Sequence, residues 1–170
     1  MHIRKEEEKD YEQVNALLKQ AFEKEYEAIL VKKLRKSPDF IADLSIVAEL
    51  EGKVVGHILF SLIRVQEGEN VFLSLALAPM AVLPSFQKQG IGQQLVKAGL
   101  ARAKELGYTS VIVLGHAEYY PKFGFVPAQQ WGIQAPFEVP SPVFMALELV
   151  PDALKNVRGM VVYPPEFMEE

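Results

Sequence analysis

The chain of 170 residues is 49% hydrophobic and 24% charged, with a formal net charge of −4 at pH 7, which is typical of one soluble globular domain. The acidic balance excludes the basic surface that nucleic-acid binding needs, and the absence of cysteine excludes disulfides, thiolate zinc sites and cysteine nucleophiles. No apolar run reaches the about 18 residues of a membrane span, so we expect a single cytoplasmic domain over residues 1–170, without a membrane partner.

The amino-terminal part of the chain predicts a short strand and two amphipathic helices. The strand is expected at His2 to Lys5. Asp10 is predicted to cap the first helix, with Gln13 in the position of a capping-box partner, and apolar side chains then recur at helical spacing from Val14 to Phe22. The second helix is predicted from Glu25 to about Lys36, and its basic cluster is interpreted as a solvated face.

Three consecutive antiparallel strands are predicted next, because the hydrophobic period changes from helical to alternating. They cover Ser45 to Leu50, Val54 to Val65 and Val71 to Val82, joined by turns that contain glycine. Pro79 lies inside the third strand, where proline cannot donate a ladder hydrogen bond. Since this strand is too apolar for an exposed edge, Pro79 predicts a bulge at which the strand parts from its next neighbour.

A short polar turn, Gln87 to Gly92, joins the third strand to a helix. Gly90 and Gly92 allow a close backbone approach to a ligand or a positive φ, and the free N–H groups of a following helix would make an anion site, with Lys88 at its rim. The same glycines would also suit a tight turn without a ligand. A dinucleotide fingerprint is excluded because Leu95 stands where a third glycine is needed, and no Walker A sequence is present.

The turn resembles the Q/R-x-x-G-x-G/A motif of the GCN5-related N-acetyltransferase (GNAT) superfamily, with Gln87, Gly90 and Gly92 in the defining places. The preceding Ala81-Val82-x-Pro84 resembles the A-V-x-P strand end of that family. The resemblance, closest to small bacterial N-acetyltransferases, implies acetyl-CoA as co-substrate and no metal. The cofactor contacts that it implies are Ala81, Val82, Gln87, Lys88, Gln89, Gly90, Ile91, Gly92 and Gln93.

The carboxyl-terminal half predicts a helix that ends at Gly107 and a buried strand at Ser110 to Leu114, parallel to the strand before the turn. Tyr120 stands four residues before Gly124-Phe125 and resembles the tyrosine of the GNAT signature Y-x-x-x-G-F. A further strand is predicted at Val143 to Leu149, and residues 151–170 receive no assignment.

Tyr120 is the candidate general acid, because a phenol with a pKa near 10 can protonate, or hydrogen-bond to, a departing thiolate whose conjugate acid has a pKa near 8.5. The strand before the motif lacks the glutamate that serves some GNAT enzymes as base. His116, Glu118 and Glu49 remain candidates, and a water chain is an alternative. His57 is interpreted as a satisfied sheet residue.

The predicted fold class is an α/β GNAT acyl-CoA N-acyltransferase fold: a mixed, mostly antiparallel sheet flanked by helices, splayed between the strand ending at Val82 and the strand Ser110 to Leu114. The resemblance implies acetyl-CoA as the donor and a primary amine of a small molecule or peptide as the acceptor. Direct transfer of the acetyl group is favoured over an acyl-enzyme, because cysteine is absent and no activated serine is evident. The acceptor side is expected in the segments Glu25 to Phe40 and Gln129 to Pro142. We expect a monomer or homodimer. The alternative is a catalytically silent acyl-CoA sensor or protein-interaction module with the same fold.

Overall fold

A computed structural model describes residues 1–168 of the chain, which form three α-helices, short 3₁₀ turns and one mixed sheet. The helices are α1 (Tyr11–Phe22), α2 (Tyr26–Leu34) and α3 (Ile91–Glu105). The strands are β1 (His2–Lys5), β2 (Phe40–Leu50), β3 (Lys53–Glu67), β4 (Asn70–Val82), β5 (Ser110–Leu114), β6 (Val126–Pro127), β7 (Ile133–Gln134), β8 (Phe144–Glu148) and β9 (Gly159–Val162). The predicted elements are therefore present, and β2 begins earlier than the alternating pattern indicated.

The sheet has the strand order β1-β2-β3-β4-β5-β8-β6, in which β4 and β5 are parallel and the other neighbours antiparallel. The tail forms β9, which pairs with the end of β3 where β2 no longer reaches, with Val162 opposite Arg64. β9 also pairs in parallel with β7. This arrangement confirms the mixed, mostly antiparallel sheet, and it assigns structure to a tail that the sequence left open.

The parallel pair separates soon after it forms. Within the described residues, β4 and β5 are in register only at Leu75 with Val111 and at Ala76 with Ile112. On its other edge β4 carries a bulge, since Ala78 and Pro79 lie between the partners of Ile58 and Phe60 on β3. The bulge at Pro79 and the splay are therefore confirmed, and from Leu77 to Val82 one edge of β4 is released from β5.

The two faces of the sheet carry different helices. Gly56 of β3 faces α3, because a Cβ at this position would lie 2.8 Å from Leu95 Cδ1. Side chains alternate along a strand, so His57 points to the opposite face, where Arg35 at the end of α2 joins its polar network. The sheet is thus buried between α3 on one side and the α1–α2 pair on the other.

The network around His57 is buried apart from the partly exposed Arg35. Ser45 Oγ lies 3.0 Å from His57 Nε2 and 2.8 Å from Glu6 Oε1, and Arg35 also donates to the Glu6 carboxylate. These distances fit a chain in which His57 donates to Ser45 and Ser45 donates to Glu6. Burial lowers the pKa of His57 to about 4 from 6.5, so the imidazole is neutral in the folded protein. His57 Nδ1 lacks a partner among the described residues, so the prediction of a satisfied sheet histidine holds for Nε2 alone.

The predicted capping box at the start of α1 is wrong. Asp10 occupies the N-cap position, but its carboxylate accepts hydrogen bonds from the Arg4 guanidinium at 2.7 and 2.9 Å and from the Glu7 N–H at 2.8 Å. Gln13 instead accepts a hydrogen bond from the Val54 N–H at 3.0 Å. The hydrogen bond from Arg4 lowers the pKa of Asp10. Asp10 is therefore bound by residues that precede the helix, and Gln13 by a strand residue 41 positions away, instead of by each other.

Candidate active site

A cleft of about 820 Å³ opens where β4 leaves β5. One wall is the released part of β4, from Leu77 to Val82, and the far wall is the loop that follows β5. The turn before α3 closes one side, and residues from α1, α2 and the tail close the other. The splay therefore produces a site that an extended ligand can enter alongside a strand edge.

The glycine turn, Gln87 to Gly92, is held by the Gln87 side chain and contains two residues with positive φ. Gln87 Nε2 donates to the Val82 carbonyl at 3.1 Å, which fastens the turn to the end of β4. Gly90, the N-cap of α3, has φ of +84°, which is a left-handed conformation that favours glycine. Lys88 shares this region with φ of +63°. The motif thus bends the chain sharply and presents its backbone to the cleft.

The amino terminus of α3 points positive charge into the cleft. The Gln94 N–H donates to the Gly90 carbonyl at 3.1 Å, so the N–H groups of residues 91–93 precede the first bond of the helix and have no acceptor inside it. Residues 91–93 line the cleft, as do Lys88 and Lys122. The free N–H groups, the helix dipole and two ammonium groups make this end suited to a polyanion such as a diphosphate.

Tyr120 lies in the far wall, and only 7% of it is exposed. Its ring makes edge contacts with Tyr119 and Phe125, with centroids 5.0 and 5.7 Å apart. It also lies against Gly115, where a Cβ would come within 2.3 Å of the Tyr120 ring. Burial raises the pKa of Tyr120 to about 12, so the phenol carries its proton throughout the neutral pH range.

The architecture and the site agree with what comparison with known proteins shows. Residues 11–125 match the model of the acetyltransferase (GNAT) family. The chain belongs to the GNAT family. It is therefore an acyltransferase, as the resemblance of the glycine turn and the tyrosine motif implied.

This GNAT protein is 37% identical over 155 residues to the uncharacterized N-acetyltransferase YhbS of Escherichia coli K12. The aligned residues cover 91% of this chain and 90% of YhbS. It is 41% identical over 115 residues to the uncharacterized N-acetyltransferase YjhQ of the same organism, covering 67% of the chain and 64% of YjhQ. The crystal structure of YhbS in complex with CoA aligns with a TM-score of 0.91 at 34% identity, over 99% of this chain and 92% of that one.

A GNAT family acetyltransferase from Brucella melitensis, crystallised in complex with acetyl-CoA, aligns with a TM-score of 0.77 at 30% identity. That alignment covers 98% of this chain and 97% of the Brucella chain. These likenesses extend across the whole sheet and its helices, so the fold class predicted from the sequence is confirmed.

Most of the residues predicted to bind the cofactor or act in catalysis line the cleft. Those at its surface are Ala81, Val82, Gln87, Lys88, Gly90, Ile91, Gly92, Gln93, His116 and Tyr120. Gln89 and Glu118 are exposed and are not part of the lining. Glu49 lies on β2, outside the lining, and pairs with Arg4 at 3.1 Å. The structure therefore brings one of the three candidate bases, His116, into the cleft.

His116 also supports the tyrosine loop through its main chain. Its carbonyl accepts hydrogen bonds from the N–H groups of Tyr119 and Tyr120 at 3.0 and 3.3 Å. Tyr119 was missed by the sequence analysis, although it adjoins Tyr120 in the motif. Its hydroxyl lies 3.3 Å from the position of a Cβ on Gly92, at the entrance of α3. The Tyr119 side chain thus reaches from this loop to the helix terminus.

The two segments predicted to form the acceptor side do not line the same cavity. The segment Glu25 to Phe40 contributes, through Tyr26, Glu27 and Leu30. Residues 129–142 instead line a separate cavity of about 770 Å³, and Phe167 of the tail takes part in the cleft. No short-range signal in the sequence connects the tail to this wall, because the contact joins residues far apart in the chain.

Within residues 1–168, no helix is long and apolar enough to cross a membrane. The same part of the chain holds no cluster of three or more histidine, aspartate or glutamate side chains that could bind a metal ion.

Proposed function

We propose that the protein transfers an acetyl group from acetyl-CoA directly to a primary amine of a small molecule or peptide. The observation that carries the proposal is the continuity of one cleft from the free N–H groups of α3 to the released edge of β4 and the Tyr120 ring. The complexes of YhbS with CoA and of the Brucella protein with acetyl-CoA support the choice of donor.

The donor's diphosphate binds the N–H groups of residues 91–93, with Lys88 and Lys122 at the rim. Gly90 and Gly92 permit the close approach of backbone and phosphate. The pantetheine arm lies along β4 beyond Ala76, where the strand edge offers main-chain hydrogen bonds that β5 does not use. Gln87 keeps this strand end in place by its bond to the Val82 carbonyl.

The reaction breaks the thioester C–S bond and forms an amide C–N bond. Main-chain N–H groups near Ala81 and Val82 stabilise the negative charge that develops on the thioester oxygen. Tyr120 donates its phenolic hydrogen to the departing sulfur. Because the pKa of Tyr120 is about 12, well above the about 8.5 of a free thiol, its main contribution is a hydrogen bond to the forming thiolate.

The amine must lose a proton before or during attack. His116 lines the cleft and is our candidate base, while the exposed Glu118 lies outside the lining. The absence of cysteine from the chain supports direct transfer over a thioester-linked acyl-enzyme.

The test is incubation with acetyl-CoA and a panel of primary amines, following the release of free thiol. Thiol release that depends on both the amine and the enzyme supports the proposal. Binding of acetyl-CoA without release by any amine would contradict it and favour the silent sensor.

The Tyr120→Phe variant tests the proposed acid. We expect kcat to fall by about 10²–10³-fold with an almost unchanged KM for acetyl-CoA, because the ring remains and only the proton donor is lost. Tyr163→Phe is the matched control, since burial also raises the pKa of Tyr163 to about 12 but the residue lies outside the cleft lining. An unchanged kcat in Tyr120→Phe would remove this tyrosine from the mechanism.

A further inference from the structure

Among the described residues that line the cleft, Glu27 is the only one with an acidic side chain. It lies in the first turn of α2, where the helix dipole favours a negative charge. The side chain is half-buried, and its Oε1 atom is shielded from solvent and has no hydrogen-bond partner in the described part of the chain. The Glu27 side chain therefore lines the cleft, while one of its carboxylate oxygens is left without a hydrogen-bond partner beneath the surface.

A buried, unpaired carboxylate oxygen is unfavourable, since it loses hydration and gains no hydrogen bond. A donor that enters with a ligand removes this cost. The strongest match for a carboxylate is a charged nitrogen donor such as an ammonium group, because a charge-assisted hydrogen bond is stronger than a neutral one. The unsatisfied oxygen of Glu27 thus indicates a positively charged ligand group.

The neighbours of Glu27 in the cleft are apolar or aromatic. Phe22, Leu30 and the tail residue Phe167 line the same region, together with Tyr26. The Tyr26 hydroxyl donates to the Phe167 carbonyl at 2.9 Å, which joins α2 to the tail. A ligand that pairs with Glu27 would therefore place its carbon skeleton against an apolar surface. The dielectric constant there is lower than in water, and this strengthens the ion pair.

The cleft also separates its charges. Lys88 and Lys122 lie at the glycine turn and the tyrosine loop, whereas Glu27 belongs to the α2 wall. We propose that Glu27 is a specificity-determining residue, which selects acceptors that carry a second positive charge, joined to the reacting amine by an apolar chain. This inference rests on the proposed function, because it assigns Glu27 to the acceptor of that reaction.

The test compares hexanediamine with aminohexanol, which has the same length but a neutral distal end, in wild type, Glu27→Gln and Glu12→Gln. We expect wild type to prefer the diamine, and Glu27→Gln to lower kcat/KM for the diamine by about 10–100-fold while changing that for aminohexanol by less than about twofold. Glu12 is exposed on α1 and outside the cleft lining, so Glu12→Gln controls for the loss of one negative charge. The KM for acetyl-CoA should stay the same in all three proteins.

A second measurement does not depend on turnover. Hexanediamine should raise the Tm of wild type in the presence of CoA and leave the Tm of Glu27→Gln unchanged. If no amine releases thiol but this difference is present, the proposed reaction fails and the cationic site stands. An equal loss of kcat/KM for both amines, a diamine preference that survives in Glu27→Gln, or equal Tm shifts in the two proteins would overturn the inference.

Discussion

Gly115 offers a sharp test of how Tyr120 is positioned. Its N–H donates to the Val143 carbonyl at 2.9 Å, which fixes this stretch of backbone to the chain just before β8. A Cβ at Gly115 would lie 2.3 Å from Tyr120 Cε2 and 2.8 Å from Cδ2, whereas ordinary contacts are 3.4–4 Å. The Gly115→Ala variant must therefore displace the Tyr120 ring by about 1 Å, because the backbone is held.

A displacement of about 1 Å at a reacting group can cost about 100-fold in rate. We therefore expect kcat of Gly115→Ala to fall by about two orders of magnitude, with an almost unchanged KM for acetyl-CoA, and the free energy of unfolding to fall by about 1–3 kcal/mol from overpacking. Thiol release with the best amine of the panel measures the first effect, and urea denaturation measures the second.

The control is the same substitution without the colliding ring. In the Tyr120→Ala background, Gly115→Ala should lower kcat by less than about threefold, because the two changes act on one contact and are not additive. A folded Gly115→Ala protein that keeps wild-type kcat would refute the argument, since it would show that the Tyr120 ring can move without consequence for catalysis. A loss of equal size in the Tyr120→Ala background would refute it as well.

Two further predictions concern stability. Burial lowers the pKa of His57 to about 4, so between pH 7 and 4 the unfolded chain binds a proton that the folded chain does not. The free energy of unfolding should therefore fall by up to about 3 kcal/mol as the pH drops from about 7 to 4. A His57→Asn variant that kept this pH dependence in urea titrations would contradict the assignment. Gly99→Ala should destabilise the protein by about 1–3 kcal/mol, because its Cβ would meet the buried ring of Phe60. The double variant with Phe60→Leu should recover most of that loss, and its failure to do so in the same titrations would point to another cause.

Local signals in the sequence carried much of the fold and the donor side of the site. Gly90 adopts a positive φ, Pro79 cannot donate a ladder hydrogen bond, and β3 and β4 are continuous apolar runs bounded by turns that contain glycine or proline. Each of these signals acts within a few residues, so it is readable before any tertiary contact is known. For the same reason the glycine turn and the Tyr120 motif were recognisable as those of a GNAT protein.

The tertiary structure decided what depends on partners distant in the chain. Gln13 forms no capping box with Asp10, because its side chain accepts a hydrogen bond from the Val54 N–H, 41 positions away. The cleft wall that we propose for the acceptor likewise includes Phe167 of the tail, whose carbonyl accepts a hydrogen bond from Tyr26 of α2 across 141 positions of sequence. Hydrogen bonds and burial over such separations leave no periodic pattern in the chain. By itself the sequence therefore determined the acetyltransferase framework, while folding decided which side chains line the cleft.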